Sequence, residues 1–236
     1  PWWDFLYARV TDLANSYSFE KIETPVVEES ALFVRSIGKD TDIVEKEMYA
    51  IADIEGEKLV LRPENTAAIV RAYITHGMLN LPQPVKLWYW GPMFRHERPQ
   101  AGRYRQFHQF GFEVLGDESP IIDAELILIA YNLYKNLGIN ASIQINSIGC
   151  TGCRPVYHQS LIAYYRTVRH EMCEDCRRRL SKNPLRALDC KEEQCQPLKK
   201  EAPHFVDFLC EPCKEHFMSV LEYLDELDLP YFLNHT

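Results

Sequence analysis

The chain has 236 residues, of which 46% are hydrophobic, and it carries a formal net charge of −8 at pH 7. Such a chain can bury one sizeable hydrophobic core and a small second one, and its net charge argues against bulk, non-specific binding of nucleic acid. No apolar run approaches the roughly 20 residues that a membrane span needs, and no signal-peptide pattern opens the chain, so we expect a soluble, cytoplasmic protein. The first residue is Pro1 rather than methionine, which predicts a piece of a longer protein.

Helical and extended patterns alternate through the first third of the chain. Apolar residues at helical spacing predict helices at residues 5–17, 30–38 and 66–76. Two apolar stretches, residues 48–51 and 58–62, predict a β-hairpin around a turn at Glu55 and Gly56.

The most informative segment is Phe94–Glu113, FRHERPQAGRYRQFHQFGFE. Apolar runs flank a short loop that contains proline and glycine, which predicts an antiparallel hairpin with a long tip. Its arginines and glutamates are Arg95, Arg98, Arg103, Arg105, Glu97 and Glu113. Because a guanidinium pairs with phosphate oxygens in two-point contacts, this pattern indicates a polyphosphate ligand; the alternative is a solvated charged loop.

Side chains alternate across the second strand of this hairpin. One face carries Gln109, Gly111 and Glu113, and the other, which we expect to be the core face, carries Phe110, Phe112 and Val114. A glycine between two polar residues predicts room for a ligand, where Glu113 would accept a proton-bearing nitrogen and Gln109 would donate and accept. The alternative is a polar, solvent-facing sheet surface.

Beyond the hairpin, the patterns predict a long helix from residue 120 to Gly138 and a strand at residues 142–145. Helices at residues 157–169 and 202–225 and a strand at residues 231–233 follow. Strands with helices laid on one side predict an α+β fold, an antiparallel sheet with flanking helices.

The composition changes at Gly149. All eight cysteines follow it, in four close pairs: Cys150 and Cys153, Cys173 and Cys176, Cys190 and Cys195, Cys210 and Cys213. We therefore expect a core at residues 1–148, a small, mainly helical, cysteine-rich domain at 149–229, and the start of a returning strand at 230–236.

The cysteine spacing indicates a metal site. A Cys-x-x-Cys loop brings two thiolates within reach of one tetrahedral ion, and two such loops complete a closed structural zinc site, so four pairs suffice for two ions. In a reducing cytosol metal ligation is favoured over disulfides. Free thiols are the alternative, while redox catalysis would need a βαβ context that is missing. The sequence does not fix which pairs share an ion.

Together the motifs resemble those of histidyl-tRNA synthetases, which are class II aminoacyl-tRNA synthetases. The arginine-rich hairpin resembles motif 2, and IETPVVEESALF at Ile22–Phe33 resembles motif 1. LRPEN at Leu61–Asn65, with Thr66, resembles the strand end that binds the amino acid, and VEKEMY at Val44–Tyr49 is also similar. The resemblance covers nearly the whole chain and implies the class II fold with an inserted helical domain.

The resemblance implies an ATP-dependent ligase that acts in two steps. The carboxylate of L-histidine attacks the α-phosphate of ATP, giving histidyl-adenylate and pyrophosphate, and the histidyl group then passes to tRNA(His). Because the nucleophile is already an anion, the first step depends on alignment and on charge neutralisation at phosphorus. By resemblance, Arg95 is the catalytic residue at the α-phosphate, Arg103 binds the β- and γ-phosphates, and Glu97 contacts adenine or positions Mg²⁺.

The resemblance also implies a histidine pocket. Glu64 and Thr66 would hold the α-ammonium group with Gln109 beside them, and Glu113 would accept the imidazole N–H and set the specificity. For Glu64, the alternative is a first-turn glutamate that the helix dipole favours. Asn65 stands where the family often has glycine.

Partners and missing parts also follow from the resemblance. It implies a homodimer through motif 1, where Pro25–Val27 with Leu32 and Phe33 forms an apolar patch. We also expect Arg177–Arg179 to contact tRNA phosphates, with only one or two of them contributing, because adjacent residues of a helix point about 100° apart. In the family, a second histidine-contacting segment, motif 3 and an anticodon-binding domain follow the inserted domain. This chain ends before them, so we expect the piece alone to be inactive or nearly so.

Two other functions are weighed against the ligase. A non-catalytic regulatory subunit of histidine biosynthesis shares the fold, but as a family those subunits usually lack the inserted domain and have altered motif 2 residues, and both are intact here. A free-standing zinc module that binds nucleic acid would explain only the last third of the chain.

Overall fold

A computed structural model of the chain describes residues 1–38, 41, 43–51, 56–98, 100–180 and 183–234. The chain divides into two compact units, Pro1–Glu118 and Ser119–Thr236. Among the described residues, no helix combines the length and the apolar character needed to cross a membrane. The predicted turn residue Glu55 and the ends of the sequence at His235 and Thr236 fall outside the described residues.

The first unit begins with a helix and builds toward a long hairpin. Its helices and strands are α1 (Trp2–Ser16), β1 (Glu20–Lys21), β2 (Val27–Glu29), α2 (Ser30–Ile37), β3 (Leu59–Leu61), α3 (Thr66–Thr75), β4 (Val85–Phe94) and β5 (Gln106–Leu115). A π-helical turn at Ile43–Glu47 and a 3-10 turn at Met78–Asn80 lie between them. The three helices predicted in this region are confirmed.

The predicted arginine-rich hairpin is confirmed and contains the longest strand pair of the first unit. β4 and β5 pair antiparallel over ten residues each, from Val85 opposite Leu115 to Phe94 opposite Gln106. β1 adds to β4 in parallel, and β2 pairs antiparallel with β3 in a separate sheet. Within the described residues the predicted small hairpin is confirmed in part: Ala50 forms a bridge with Val60 of β3, and the backbone N–H groups of Ile51 and Leu61 bond to the carbonyls of Leu59 and Tyr49.

The hairpin face that carries Gln109, Gly111 and Glu113 is not open along its length, contrary to expectation. Residues directly opposite in an antiparallel pair point to the same face, and on this face Leu87 and Tyr89 are buried in a core with α3. A Cβ added at Gly111 would lie 2.6 Å from the Tyr89 ring. The glycine therefore makes room for that ring.

The other face of the hairpin packs against aromatic residues near the chain start. The ring of Tyr7 lies 5.4 Å from that of Trp90, which stacks on Phe110 at 5.7 Å. Phe19 meets Phe112 edge to face at 5.1 Å. Phe110 and Phe112 thus pack as expected for a core face, although each stays partly exposed.

The second unit is mainly helical. Its elements are α4 (Pro120–Asn136), β6 (Ile143–Ile145), α5 (Cys153–Thr167), α6 (Glu174–Arg179), α7 (Gln196–Lys200), α8 (Glu211–Glu226) and β7 (Tyr231–Leu233). β7 pairs in parallel with β6. The helix predicted at 202–225 is wrong in its first part: Phe205–Phe208 is a 3-10 turn, and α8 begins only at Glu211. Pro212 fits only the first turn of a helix, which fixes this start.

Two separate hydrophobic cores lie inside the second unit. Ala124, Val220 and Leu224 join α4 to α8, together with residues of β6 and β7. The other core contains Tyr157, Leu161 and four buried cysteines. Because α4 and β6 pack with α8 and β7, the compact second unit begins at Ser119; an inserted domain at 149–229 stays a prediction.

Candidate active site and cysteine clusters

The start of α3 lies beside β5 and brings together three of the residues predicted to bind histidine. The Glu64 carboxylate accepts backbone N–H groups of Thr66 (2.7 Å) and Ala67 (3.1 Å), so it caps the helix N-terminus. The Thr66 hydroxyl donates to Oε1 of Glu113 at 2.7 Å. Glu64, Thr66 and Glu113 therefore form one site, in which Glu64 also has the structural role of a cap.

Burial sets the electrostatics of this site. It raises the pKa of Glu113 above its ordinary value; the hydrogen bond from Thr66 opposes the rise, and the negative charge of Glu64 adds to it. Burial also raises the pKa of Tyr89, and the charges of Glu113 and Glu64 raise it further. Sequence reasoning missed Tyr89, whose apolar surroundings in VKLWYWG make it look like an ordinary core residue.

Gln109, the fourth residue of the predicted set, lies four residues before Glu113 on the same face of β5, and in the described part of the chain no hydrogen bond joins it to the other three. Its side-chain oxygen is buried and finds no hydrogen-bond partner among the described residues. A buried acceptor without a donor is unfavourable, by about 1–3 kcal/mol. Two carboxylates and an unsatisfied amide oxygen make this edge of the sheet rich in acceptors, so it is suited to a cationic ligand with several N–H groups.

Arg95 lies near the strand end rather than at the hairpin tip. Its Nε donates to the Pro63 carbonyl at 2.9 Å, and its guanidinium lies 5.1 Å from the centre of the Phe107 ring. Its backbone N–H bonds to the Arg105 carbonyl. Among the described residues no carboxylate pairs with Arg95, so its terminal nitrogens are available for an anion.

The tip of the hairpin encloses a separate cavity of about 500 Å³. Its lining residues are Glu47, His96, Glu97, Arg98, Gln100, Arg103 and Arg105. Arg103 and Glu97, both predicted to contact ATP, form an ion pair with each other at 3.2 Å. Sequence reasoning missed Glu47, because nothing in its spacing connects it to a hairpin fifty residues away.

A buried arginine holds the strand end in place. Arg62 is 5% exposed and donates to the carbonyls of Thr24 (2.8 Å) and Pro92 (3.0 Å). Desolvation lowers its pKa. The Thr24 hydroxyl bonds to Asn65, which is 1% exposed. Asn65 is therefore a buried hydrogen-bonding residue, and Arg62 is a scaffold residue that sequence reasoning missed.

The predicted dimer patch is divided between surface and core. Val26 and Val27 are about 40% exposed, at 37% and 41%. Phe33 is fully buried in a core with Val60 and Ala67, and Leu32 packs against that core. Phe33 therefore belongs to the core, and the exposed Pro25, Val26 and Val27 are available for a partner surface.

The eight cysteines gather in two groups of four. We call Cys150, Cys153, Cys210 and Cys213 the outer cysteine cluster, and Cys173, Cys176, Cys190 and Cys195 the inner cysteine cluster. Within each cluster the sulfur atoms all lie within 4.8 Å of one another. The structure thus supplies the pairing that the sequence left open: the first close pair joins the last, and the two middle pairs join each other.

Backbone N–H groups bond to the sulfur atoms of both clusters. In the outer cluster, Gly152 N–H donates to Cys150 Sγ at 3.3 Å and Cys210 N–H donates to Cys153 Sγ at 3.1 Å. Such bonds, from Cys153 and Gly152, lower the pKa of the Cys150 thiol to about 6. In the inner cluster, burial raises the pKa of Cys176.

A cationic cavity of about 310 Å³ lies near the inner cysteine cluster. It is lined by Arg166, Arg169 and Arg177 above the apolar side chains of Ile162 and Leu180.

The three arginines predicted to contact tRNA therefore differ. Arg177 lines this cavity, whereas Arg178 pairs with Asp175 at 2.7 Å. Arg166 and Arg169, at the end of α5, were missed because they are scattered in the sequence.

The chain is similar to histidyl-tRNA synthetases in sequence and in fold. The family model for histidyl-tRNA synthetase matches residues 4–152. A histidine–tRNA ligase of Dehalococcoides mccartyi is 49% identical over 235 residues, 99% of this chain and 56% of the relative. The chain thus spans about half the length of the curated relatives it matches.

Two solved structures are also similar. The apo histidyl-tRNA synthetase of Staphylococcus aureus has a TM-score of 0.73 and 36% identity, covering 99% of this chain and 53% of that one. A protein of Bacillus halodurans, described as an ATP phosphoribosyltransferase regulatory subunit/histidyl-tRNA synthetase, has a TM-score of 0.63 at 19% identity, covering 98% of this chain and 62% of that one. At that identity the likeness concerns the fold alone.

Proposed function

Because the chain belongs to the histidyl-tRNA synthetase family, we propose that the protein which carries it is a histidine–tRNA ligase. It activates L-histidine with ATP to histidyl-adenylate and then transfers the histidyl group to tRNA(His). The chain spans only 56% of its relatives, so this activity is proposed for the whole protein, and the piece alone is expected to be inactive or nearly so.

The acceptor-rich site at the start of α3 is the observation that carries this proposal. Glu64 and Glu113 converge on Thr66, and the buried oxygen of Gln109 lacks a donor. Histidine offers an α-ammonium group and an imidazole N–H, which are the donors that such a site lacks. A glutamate that accepts the ring N–H would strongly reject analogues without it, since its own acceptor would be left unpaired.

Arg95 is our candidate for the residue that stabilises the α-phosphate. Its contact with the Pro63 carbonyl, one residue before Glu64, supports a position next to the histidine carboxylate. A guanidinium already aligned there would neutralise charge that builds up on phosphorus without having to move. No general base is needed, because the attacking carboxylate is an anion.

The tip cavity is our candidate for the remainder of ATP. Arg103 would bind the β- and γ-phosphates, and its ion pair with Glu97 would open when ATP arrives. Arg103 is 62% exposed, whereas Glu97 is only 17% exposed, so the phosphate contacts that Arg103 gains must offset the loss of this partly buried pair. Glu97 would then contact adenine or, with Glu47, hold the Mg²⁺ that accompanies ATP.

The cationic cavity of the second unit is our candidate contact for the tRNA backbone. Arg166, Arg169 and Arg177 surround one space, and no ion pair to a carboxylate is found for them in the described part of the chain. Three like charges around one cavity favour an anion there, and a phosphate of RNA fits guanidinium geometry. Arg178 is engaged with Asp175 and is a poorer candidate.

The same proposal includes an assembly, a location and a structural metal. A homodimer would use the exposed Val26 and Val27 near motif 1. The protein would act in the cytoplasm, where a reducing environment keeps thiols free for ligation. Structural zinc would be held by the cysteines of the second unit.

Histidine-dependent exchange of pyrophosphate into ATP by the full-length protein tests the proposal. We expect exchange with histidine and none with other amino acids, and we expect Glu113→Gln to weaken histidine binding far more than ATP binding. A matched control is Glu20→Gln, an exposed carboxylate on β1. A full-length protein that binds histidine but shows no exchange would instead be a regulatory subunit, and the proposal would fall.

A further inference from the structure

The sulfur spacing within the two clusters matches a tetrahedral zinc site. Zinc binds cysteine sulfur at about 2.3 Å, so two sulfur atoms on one tetrahedral ion lie about 3.8 Å apart. In the outer cysteine cluster, Cys150 Sγ lies 3.6 Å from Cys153 Sγ and 3.9 Å from Cys210 Sγ. In the inner cysteine cluster, Cys173 Sγ lies 3.8 Å from Cys190 Sγ.

Each cluster is also built for thiolates. The Cys173 sulfur accepts the backbone N–H of Cys176 at 3.4 Å, and the Cys195 sulfur accepts that of Cys173 at 3.4 Å. Together with the two N–H bonds of the outer cluster, these donors favour sulfur atoms that carry negative charge.

The loop before the outer cluster packs closely against Cys153 and Phe205. Gly149 has a φ of +53°, and a Cβ there would lie 2.7 Å from the Cβ of Cys153 and 2.9 Å from the Phe205 ring. Arg154 bonds to the carbonyls of Ile148 and Gly149. Glycine is therefore required for both the backbone conformation and the close approach.

The two clusters differ in access to solvent. In the inner cysteine cluster Cys176, Cys190 and Cys195 are buried, at 1%, 9% and 3% exposure. In the outer cysteine cluster Cys150 and Cys210 are exposed. The positions differ as well, since the outer cluster joins the starts of α5 and α8, whereas the inner cluster connects short segments within one core.

We infer that the second unit binds two zinc ions with unequal lifetimes, one in each cluster. The inner ion is a permanent part of the core, because a chelator or competing thiol cannot reach three of its four sulfur atoms without local unfolding, and only Cys173 is partly exposed. The outer ion exchanges from the folded protein, because two of its ligands face solvent. The outer ion therefore acts as a removable link between the start of α5 and the start of α8.

The test is zinc content combined with alkylation of the chain during chelation. We expect two zinc ions per chain and X-ray absorption that reports four sulfur ligands at about 2.3 Å. A chelator should remove them in two phases, and alkylation mapped by mass spectrometry should label the outer cysteines in the first phase and the inner ones in the second.

Substitutions in the loop of the outer cysteine cluster extend this test and leave the buried core residues unchanged. Cys150→Ser should retain one zinc ion per chain and lose only the fast phase, whereas the control Thr151→Ser, in the same loop, should retain both ions. Fewer than two ions in the unaltered chain, loss of both in one phase, or alkylation of the inner cysteines first would each overturn the inference. The inference rests on the structural zinc of the proposed function, but all of these readouts are independent of ligase activity, so their failure would leave the proposed ligase untouched.

Discussion

The two units of the chain build their sites by different means. In the first unit, Glu64, Glu113 and Arg95 come from separate elements, and a network around buried Arg62 holds those elements in register. In the second unit, the candidate ligands belong to the core itself, since Cys153, Cys176, Cys190 and Cys195 are among its buried residues.

This contrast separates the stability of the scaffold from the chemistry of the site. The first unit should keep its shape when its ligands are absent, because hydrogen bonds and apolar packing fix it. The cysteine-rich part of the second unit has a smaller core, at a size where a core alone gives limited stability. Its fold should therefore depend on what the sulfur atoms bind.

The largest effect of a substitution is expected at Arg62. Arg62→Met keeps the length of the apolar stem but leaves the buried carbonyls of Thr24 and Pro92 without donors, which should lower the free energy of unfolding of the first unit by about 3–5 kcal/mol. Denaturant unfolding measures this change. Arg35→Met, at an exposed position, is the control. If Arg62→Met also caused the second unit to lose zinc or helicity, the contrast between the two units would be contradicted.

Arg95→Ala should have the next largest effect, on the reaction and not on the fold. Removal of one aligned charge from the α-phosphate should slow adenylate formation. The expected loss of transition-state stabilisation is about 2–4 kcal/mol. Pre-steady-state kinetics of the full-length protein measures it, with exposed Arg9→Ala as the control. Unchanged adenylate formation would remove Arg95 from the catalytic role.

Part of the fold and part of the candidate site could be predicted from the sequence. The helices and the hairpin followed from apolar periodicity and turn residues, and three of the four histidine-site residues that it named do converge. The face of Gln109 and Gly111 was wrongly expected to be open, because alternation along one strand does not reveal the opposite strand. Tyr89 fills that space only through the register of β4 and β5.

The same limit applies to long-range pairing. Close cysteine pairs are visible in the sequence, but joining Cys150 with Cys210 requires the fold to return over sixty residues. Glu47 and the cavity lined by Arg166, Arg169 and Arg177 were not predicted from the sequence for the same reason. Local patterns predict the parts, and tertiary packing decides which parts meet.

Binding of tRNA offers a smaller effect that tests the second unit. Arg177→Gln should weaken tRNA binding about tenfold, about 1.4 kcal/mol, and should reduce the slope of log affinity against log salt by about 1. Fluorescence anisotropy across a salt series measures both. Arg178→Gln, next to it and paired with Asp175, is the matched control and should change neither; equal effects of the two would contradict the cavity as a specific contact.

The smallest effect is the pH dependence that Glu113 gives the first unit. Its pKa is raised by burial, so the folded state holds the proton more tightly than the unfolded chain. The stabilisation is present below the ordinary value of about 4.5 and is lost as pH rises through the folded pKa. Glu113→Gln should remove this pH dependence. At neutral pH it should raise the free energy of unfolding by less than about 1 kcal/mol relative to the unaltered chain. Urea unfolding at several pH values measures both changes. A steeper dependence in the variant would contradict the assignment.

Hydrogen exchange of the chain before and after complete removal of metal tests the central contrast most directly. The account predicts that protection is lost in residues 149–210 and kept in β4 and β5. It also predicts that α8 stays largely protected, because α4 packs along it. The account would be contradicted if β4 and β5 lost protection together with the cysteine-rich region, or if that region stayed protected without metal. In either case, metal would not be what distinguishes the stability of the two units.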